Sequence, residues 1–399
     1  MDTAYVVEWL NLLGRWAHMI VGVAWIGASF YFIWLDDSLE PPKSADDAAR
    51  GVGGEVWSVH GGGFYHAQKY RVAPPELPPT LHWFKWEAYT TWISGMFLMA
   101  LVYYYGAEVA LVDPLVRDLS QGWANAIGLA FIAGGWIVYD GLCRSPLGND
   151  TAVLAAILAA LVAAAAWGLC QLFSGRGAFI HFGAMLGTIM VANVFVVIIP
   201  GKKVLVKAKR EGRAPDPRYG LMGKQRSLHN TFFTLPVLFA MIANHYAFAT
   251  GHRWNWAILI ALTVAGGLVR LWFVQRHTGA GNPMTLAAGL LTLIVTAVVV
   301  APRDEVAVEL AGKTEFAQVA QVVGQRCAGC HALRPTREGF AAPPKGVMLE
   351  TPGQLKAYAP ALLQQVWHSR AMPPGNVTEL TDDERALIAR WIRQGAPTR

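Results

Sequence analysis

Eight stretches of this chain stay apolar for roughly the 20 residues that a helix needs to cross a bilayer, and that fixes the kind of fold available to it. They lie at about 5–34, 84–105, 122–142, 151–172, 177–200, 227–250, 254–275 and 284–301. In lipid such runs fold as helices, because each backbone polar group must bond within its own segment. Hydrophobic residues make up 54% of the 399 and charged residues only 15%, too apolar for a soluble protein of this length. The expected fold class is all-α, with an eight-span membrane bundle over residues 1–302.

Beyond Ala301 the composition turns polar: 303–312 reads as a linker and 313–399 as a small globular unit. That unit contains Cys327-Ala328-Gly329-Cys330-His331 and, further on, Ala371-Met372-Pro373-Pro374-Gly375. C-x-x-C-H is the attachment signature of a c-type haem: two thiols form thioethers and the adjacent His ligates iron. Met372, beside prolines that hold the chain extended, suits the sixth ligand. A zinc site would want a second Cys/His pair, and the remaining cysteines, Cys143 and Cys170, lie far upstream in apolar segments. A helix before the motif (Lys313 to Gln325), a Met loop and a capping box Thr381-Asp-Asp-Glu384 opening a last helix make the plan of a cytochrome c.

Such a haem is attached on the outer face of the bacterial inner membrane. An even number of spans then puts the N-terminus on the periplasmic side too. Charge agrees: fifteen Lys and Arg fall in the loops that would face inward, most of them in 202–226, against Arg117, Arg176 and Arg253 outside. The net +6 is thus a topology signal, and no nucleic-acid partner is expected; membrane lipid is. The N-terminus carries Asp2 and Glu8, and no basic residue precedes the first apolar run, which argues for an outward-facing span rather than a cleaved leader.

Polar residues within spans are costly and mark sites or pairs. Arg15, His18, Gly22 and Trp25 recur at i, i+3, i+7 and i+10 and share one helical face. A His among small residues on such a face can seat a haem b or a substrate; equally, it can bond a neighbouring helix. Span directions place His18, His181 and His245 in the outer half and His229 and His277 at inner ends. Asp140 and Arg270 both fall in the inner third and are expected to pair. His60, His66 and His82 crowd a Gly-rich inner loop, in a spacing that fits no standard metal site. Trp83, Trp86, Trp123, Trp254 and Trp256 sit near span ends, as an aromatic belt requires.

Four segments carry a resemblance: the first span, His82-Trp-Phe-Lys-Trp-Glu through Gly95, Phe179-Ile-His181 through Asn193-Val-Phe, and Arg226-Ser-Leu-His229-Asn230 through Asn244-His245-Tyr246. In these, and in the order of its two modules, the chain resembles the bacterial membrane-bound urate oxidases (urate hydroxylases) of purine catabolism. The first span also resembles, more weakly, that of the membrane protoporphyrinogen oxidases. The first resemblance implies a two-electron oxidation of urate with water added at C5, giving 5-hydroxyisourate. Electrons would leave through haem c to a respiratory acceptor, a cytochrome c or an oxidase. Urate is a planar anion and calls for a cation, aromatic faces, amide-type donors and a base. Arg15, His18, Trp25, His181, Asn193 and His245 supply those types, with Arg15, His18, His181 and His245 the catalytic candidates. The rival reading keeps the cytochrome and drops the enzyme: a membrane subunit passing electrons from quinol or haem b to haem c. A transporter with a fused cytochrome is disfavoured, since no internal repeat is visible.

Overall fold

The computed structural model describes residues 3–276, 281–301, 312, 314–340 and 342–398. His277, Lys313 and nearly all of the 303–312 linker lie outside the described residues. The membrane part comprises α1 (Thr3–Asp37), α2 (Trp86–Leu98), α3 (Gln121–Arg144), α4 (Thr151–Cys170), α5 (Gly175–Ala192), α6 (Ile199–Arg210), α7 (Pro217–Ile242), α8 (Asn255–Arg276) and α9 (Pro283–Val300). Side-chain caps set several starts: Ser120, Asp150, Ser174 and Asp216 each accept a first-turn amide, and Pro217 follows Asp216 at the position proline favours.

Among the described residues, six helices are long and apolar enough to cross a membrane: Tyr5–Asp37, Gln121–Arg144, Thr151–Cys170, Gly175–Arg210, Asn255–Arg276 and Pro283–Val300. The other two expected intervals hold α2, continued by a π-turn at Met99–Tyr104, and α7. Arg218, Lys224 and Arg226 in its first half make α7 more polar than its neighbours. α2 packs on α1, and α7 on α5 and α8.

The all-α expectation needs one correction. Val52–His60 (β1) and Gly63–Tyr70 (β2) pair as an antiparallel hairpin closed by Gly61-Gly62, both at positive φ. Two such residues fit the type I′ turn whose twist matches paired strands. Its Glu55 accepts from the Lys43 amide and pairs with His66 at 2.9 Å, contacts that hold the carboxyl below its usual range. Lys69 reaches Asp36 at 2.5 Å, tying the hairpin to the end of α1.

α5 is the centre of the bundle, with Phe179, Phe182 and Leu186 fully enclosed. It can press against α3 because Gly128 and Gly135 recur at i, i+7 on the α3 face. A Cβ there would stand 2.5 Å from His181 Nε2 and 2.4 Å from Met185 Cγ. Small residues at such contacts are how membrane helices gain van der Waals packing.

The C-terminal unit is built on α10 (Phe316–Arg326) and α11 (Asp382–Arg393), and α11 opens with the expected capping box between Thr381 and Glu384. Val319, Val323, Leu355, Ile388 and Trp391 form its core, and Trp391 Nε1 donates to Pro397 O at 2.7 Å. The unit rests on the short helices Ala107–Ala110 and Ala247–Thr250. The approach is backbone to backbone: a Cβ at Gly251 would lie 1.7 Å from Ser369 O, and one at Gly375 2.5 Å from Val112 O.

Candidate functional site

In the C-terminal motif, α10 delivers Cys327 and a single turn, Ala328–His331, delivers the rest. His331 Nδ1 lies 2.9 Å from Val347 O; since a carbonyl only accepts, Nδ1 carries the proton and Nε2 keeps its lone pair. This is how a ligating histidine is oriented from its far side. Met372 packs against the unit's core. Its loop is pinned by Arg385, which is 1% exposed and donates to Val366 O (2.8 Å), Met372 O (2.7 Å) and Asn376 Oδ1 (3.0 Å). Burial pushes the Cys327 thiol up to about 12, and that of Cys330 up as well, so both stay protonated. No cysteine is in a disulfide. Two free thiols, a His with Nε2 available and an anchored Met form a donor set that fits a covalent haem.

The membrane-domain candidates do not share one hydrogen-bonded cluster. His18 Nδ1 meets Ser94 Oγ at 2.9 Å and its ring covers Gly95, so α1 uses it against α2. Ser94 Oγ already donates to Thr90 O, so His18 is the donor and its Nε2 stays available. Arg15 is exposed and bonds Asn11 on its own helix at 2.7 Å. His181 is fully buried between α5 and α3: Nδ1 donates to Gly177 O (2.8 Å) and Nε2 meets Tyr104 OH (3.2 Å). His245 is exposed just past the end of α7, and its side chain has no hydrogen bond among the described residues. In the hairpin, His66 pairs with Glu55 and stacks on Trp57; among the described residues no group of three His, Cys, Asp or Glu gathers as a metal site.

A buried network lies further in. Tyr139 OH is 2.7 Å from His229 Nδ1 and accepts from Asn193 Nδ2 at 3.0 Å. The same amide reaches Asn230 Oδ1 at 2.8 Å, and Asn230 Nδ2 donates to Met190 O at 2.9 Å. Arg226, 1% exposed, donates to Asp140 Oδ1 (2.7 Å) and Asn193 Oδ1 (3.3 Å) and lies over the Tyr139 ring. The expected Asp140–Arg270 pair is therefore corrected. Asp140 pairs with Arg226 and Arg144, whereas Arg270 lies over the Phe30 ring at 4.3 Å. Arg270 is carried by α8, which packs on α9, α7 and α4, whereas Arg226 on α7 reaches Asp140 on α3 directly. His229, at the inner end of its span, also belongs to this network. Asn193 enters it where α5 ends and a π-turn, Asn193–Ile198, begins; such turns often mark functional sites. The signal was present in sequence: Arg226, His229, Asn230 and Phe233 fall at i, i+3, i+4 and i+7, one polar-to-aromatic face.

Beside the network, a cavity of about 540 Å³ opens between the second half of α1, the start of α2, the π-turn, α6 and α7. Trp25, Trp83, Glu87, Lys202 and Asn230 line it, with the Lys69–Asp36 pair at its edge.

Against known families, the sequence model described as urate oxidase N-terminal matches residues 4–301. The chain belongs to that family. No curated protein and no solved structure matches it. The match spans the helical part, and residues beyond 301, including Cys327 and His331, lie outside it. Membership gives the chain a urate-related, oxidoreductase character, and the six apolar helices fit a membrane protein.

Proposed function

We propose that the chain is a membrane-bound urate oxidase that sends its electrons through a c-type haem rather than to oxygen. The family match over residues 4–301 carries this reading, and the oriented His331 and anchored Met372 support the electron exit. The overall change is urate + H2O → 5-hydroxyisourate + 2 H⁺ + 2 e⁻. Cys327, Cys330, His331 and Met372 would hold the haem, which supplies a one-electron acceptor used twice per turnover. The membrane helices would bind and orient urate and take up the protons; His18, with Nε2 available, is one acceptor of the right chemistry, and a haem b ligand is its other possible role.

Purified protein given urate without oxygen should reduce its own C-terminal haem, two equivalents per urate consumed. A haem that stays oxidised, or peroxide formed in step with urate loss in air, would refute the coupled reaction.

The same reading gives eight spans in the inner membrane, with the N-terminus and C-terminal unit periplasmic. The C-terminal unit rests on 107–113 and 247–251, segments assigned to that side by charge. A reporter fused after Arg399 should be active only in the periplasm, and one inserted at Gly212 only in the cytoplasm; the reverse pattern rules the arrangement out.

A further inference from the structure

The cavity beside the buried network holds what a planar, anionic purine asks for, and its location differs from the Arg15–His18 region. We propose that this cavity is the urate site: Lys202 offsets the negative charge, Trp25 and Trp83 supply aromatic faces, Glu87 accepts from ring N–H groups, and Asn230 bonds the ring edge. The proposal rests on urate being the substrate.

Charge comes first. Lys69 and Asp36 at the edge neutralise one another, which leaves Lys202 and Glu87 as the charged groups facing a ligand; neither has an ion pair among the described residues. Lys202 lies at the exposed rim, where it can meet the anion on entry. Trp83 is also shared with an adjoining recess lined by Lys203, Lys207, Arg210 and Glu211; Lys207 pairs with Glu211, and Lys203 and Arg210 leave the approach net basic, which raises the local concentration of an anion. Glu87 Oε2 is sheltered from solvent and has no hydrogen-bond partner. A sheltered acceptor left bare is costly, and a lactam N–H is the donor it lacks.

Asn230 gives direction. Its Oδ1 already accepts from Asn193 and its Nδ2 already donates to Met190 O, so its amide cannot flip. One lone pair and one N–H remain, the complement of an amide edge on a purine. Through Asn193 the same residue connects the cavity to Tyr139 and His229.

The test uses full-length protein kept chemically reduced, so that bound urate cannot be oxidised, with equilibrium dialysis of labelled urate. Lys202→Gln and Glu87→Gln should each raise Kd about tenfold or more, the loss expected for a charge-assisted hydrogen bond. Lys202→Arg should recover most of the affinity, and Lys224→Gln, an exposed change outside the cavity, should bind as the parent does. Lys202 is exposed, so its replacement does not threaten the fold. If the parent oxidises urate while both variants keep its Kd and KM, the cavity assignment is wrong and the function stands. If the parent binds urate and the variants do not, yet none ever reduces the haem, the site stands and the redox reading falls. A parent that binds no urate overturns the site.

Discussion

Replacing Cys327 and Cys330 together by Ala will leave the C-terminal unit without covalent haem and stop urate-dependent electron transfer. Cys327 closes α10 and Cys330 follows a turn later, in the C-x-x-C spacing that thioether attachment uses, and the other cysteines, Cys143 and Cys170, belong to α3 and α4. Met372→Ala should act differently. Its backbone N bonds Gln365 O at 3.0 Å and its carbonyl is held by Arg385, contacts that survive loss of the side chain. Haem should therefore remain attached, with an altered potential and sixth ligand. Denaturing gels stained for haem read the first outcome and redox titration the second. Covalent haem in the double Cys variant would end the assignment.

Arg226→Ala should destabilise the membrane domain by about 3–5 kcal/mol, the cost of stripping one partner from a buried ion pair. Its side chain is 2% exposed and that of Asp140 19%, so the carboxylate would be left with only Arg144, which is half exposed. The change also removes a donor to Asn193 and a cation from the Tyr139 ring. Arg226→Lys should recover only part, because an ammonium cannot reproduce the planar fork. Thermal unfolding in detergent, with Asp140→Asn completing a double-mutant cycle, measures the coupling. A melting temperature within error of the parent for Arg226→Ala would show that the pair contributes nothing to stability.

Legibility in the sequence followed the range of the interaction. The apolar runs and the capping box at Thr381 are local patterns, and the helices formed where those patterns placed them. The hairpin was also local, since β-branched and aromatic residues (Val56, Trp57, Val59; Phe64, Tyr65, Tyr70) gather on both sides of Gly61-Gly62, but the glycines read as a loop. Partner choice inside the bundle was not local. Asp140 and Arg270 have matching depth and opposite charge, yet which helices become neighbours depends on Gly128 and Gly135 admitting α5 against α3. The same close packing separates His18, facing α2, from His181, facing α3, although both share a depth in the sequence. The cavity was hidden for a further reason: its lining comes from α1, α2, α6 and α7 at once, and no spacing rule joins residues as far apart as Trp25 and Asn230.

The bare backbones at Gly251 and Gly375 have a kinetic consequence. A redox partner that is merely tethered by a flexible linker meets its donor at an effective concentration on the order of mM. Here the C-terminal unit is seated, so the proposed hand-over from the helical part needs no encounter at all and should be indifferent to salt. Only the onward step to a separate acceptor remains a collision, and it alone should slow as ionic strength screens the encounter.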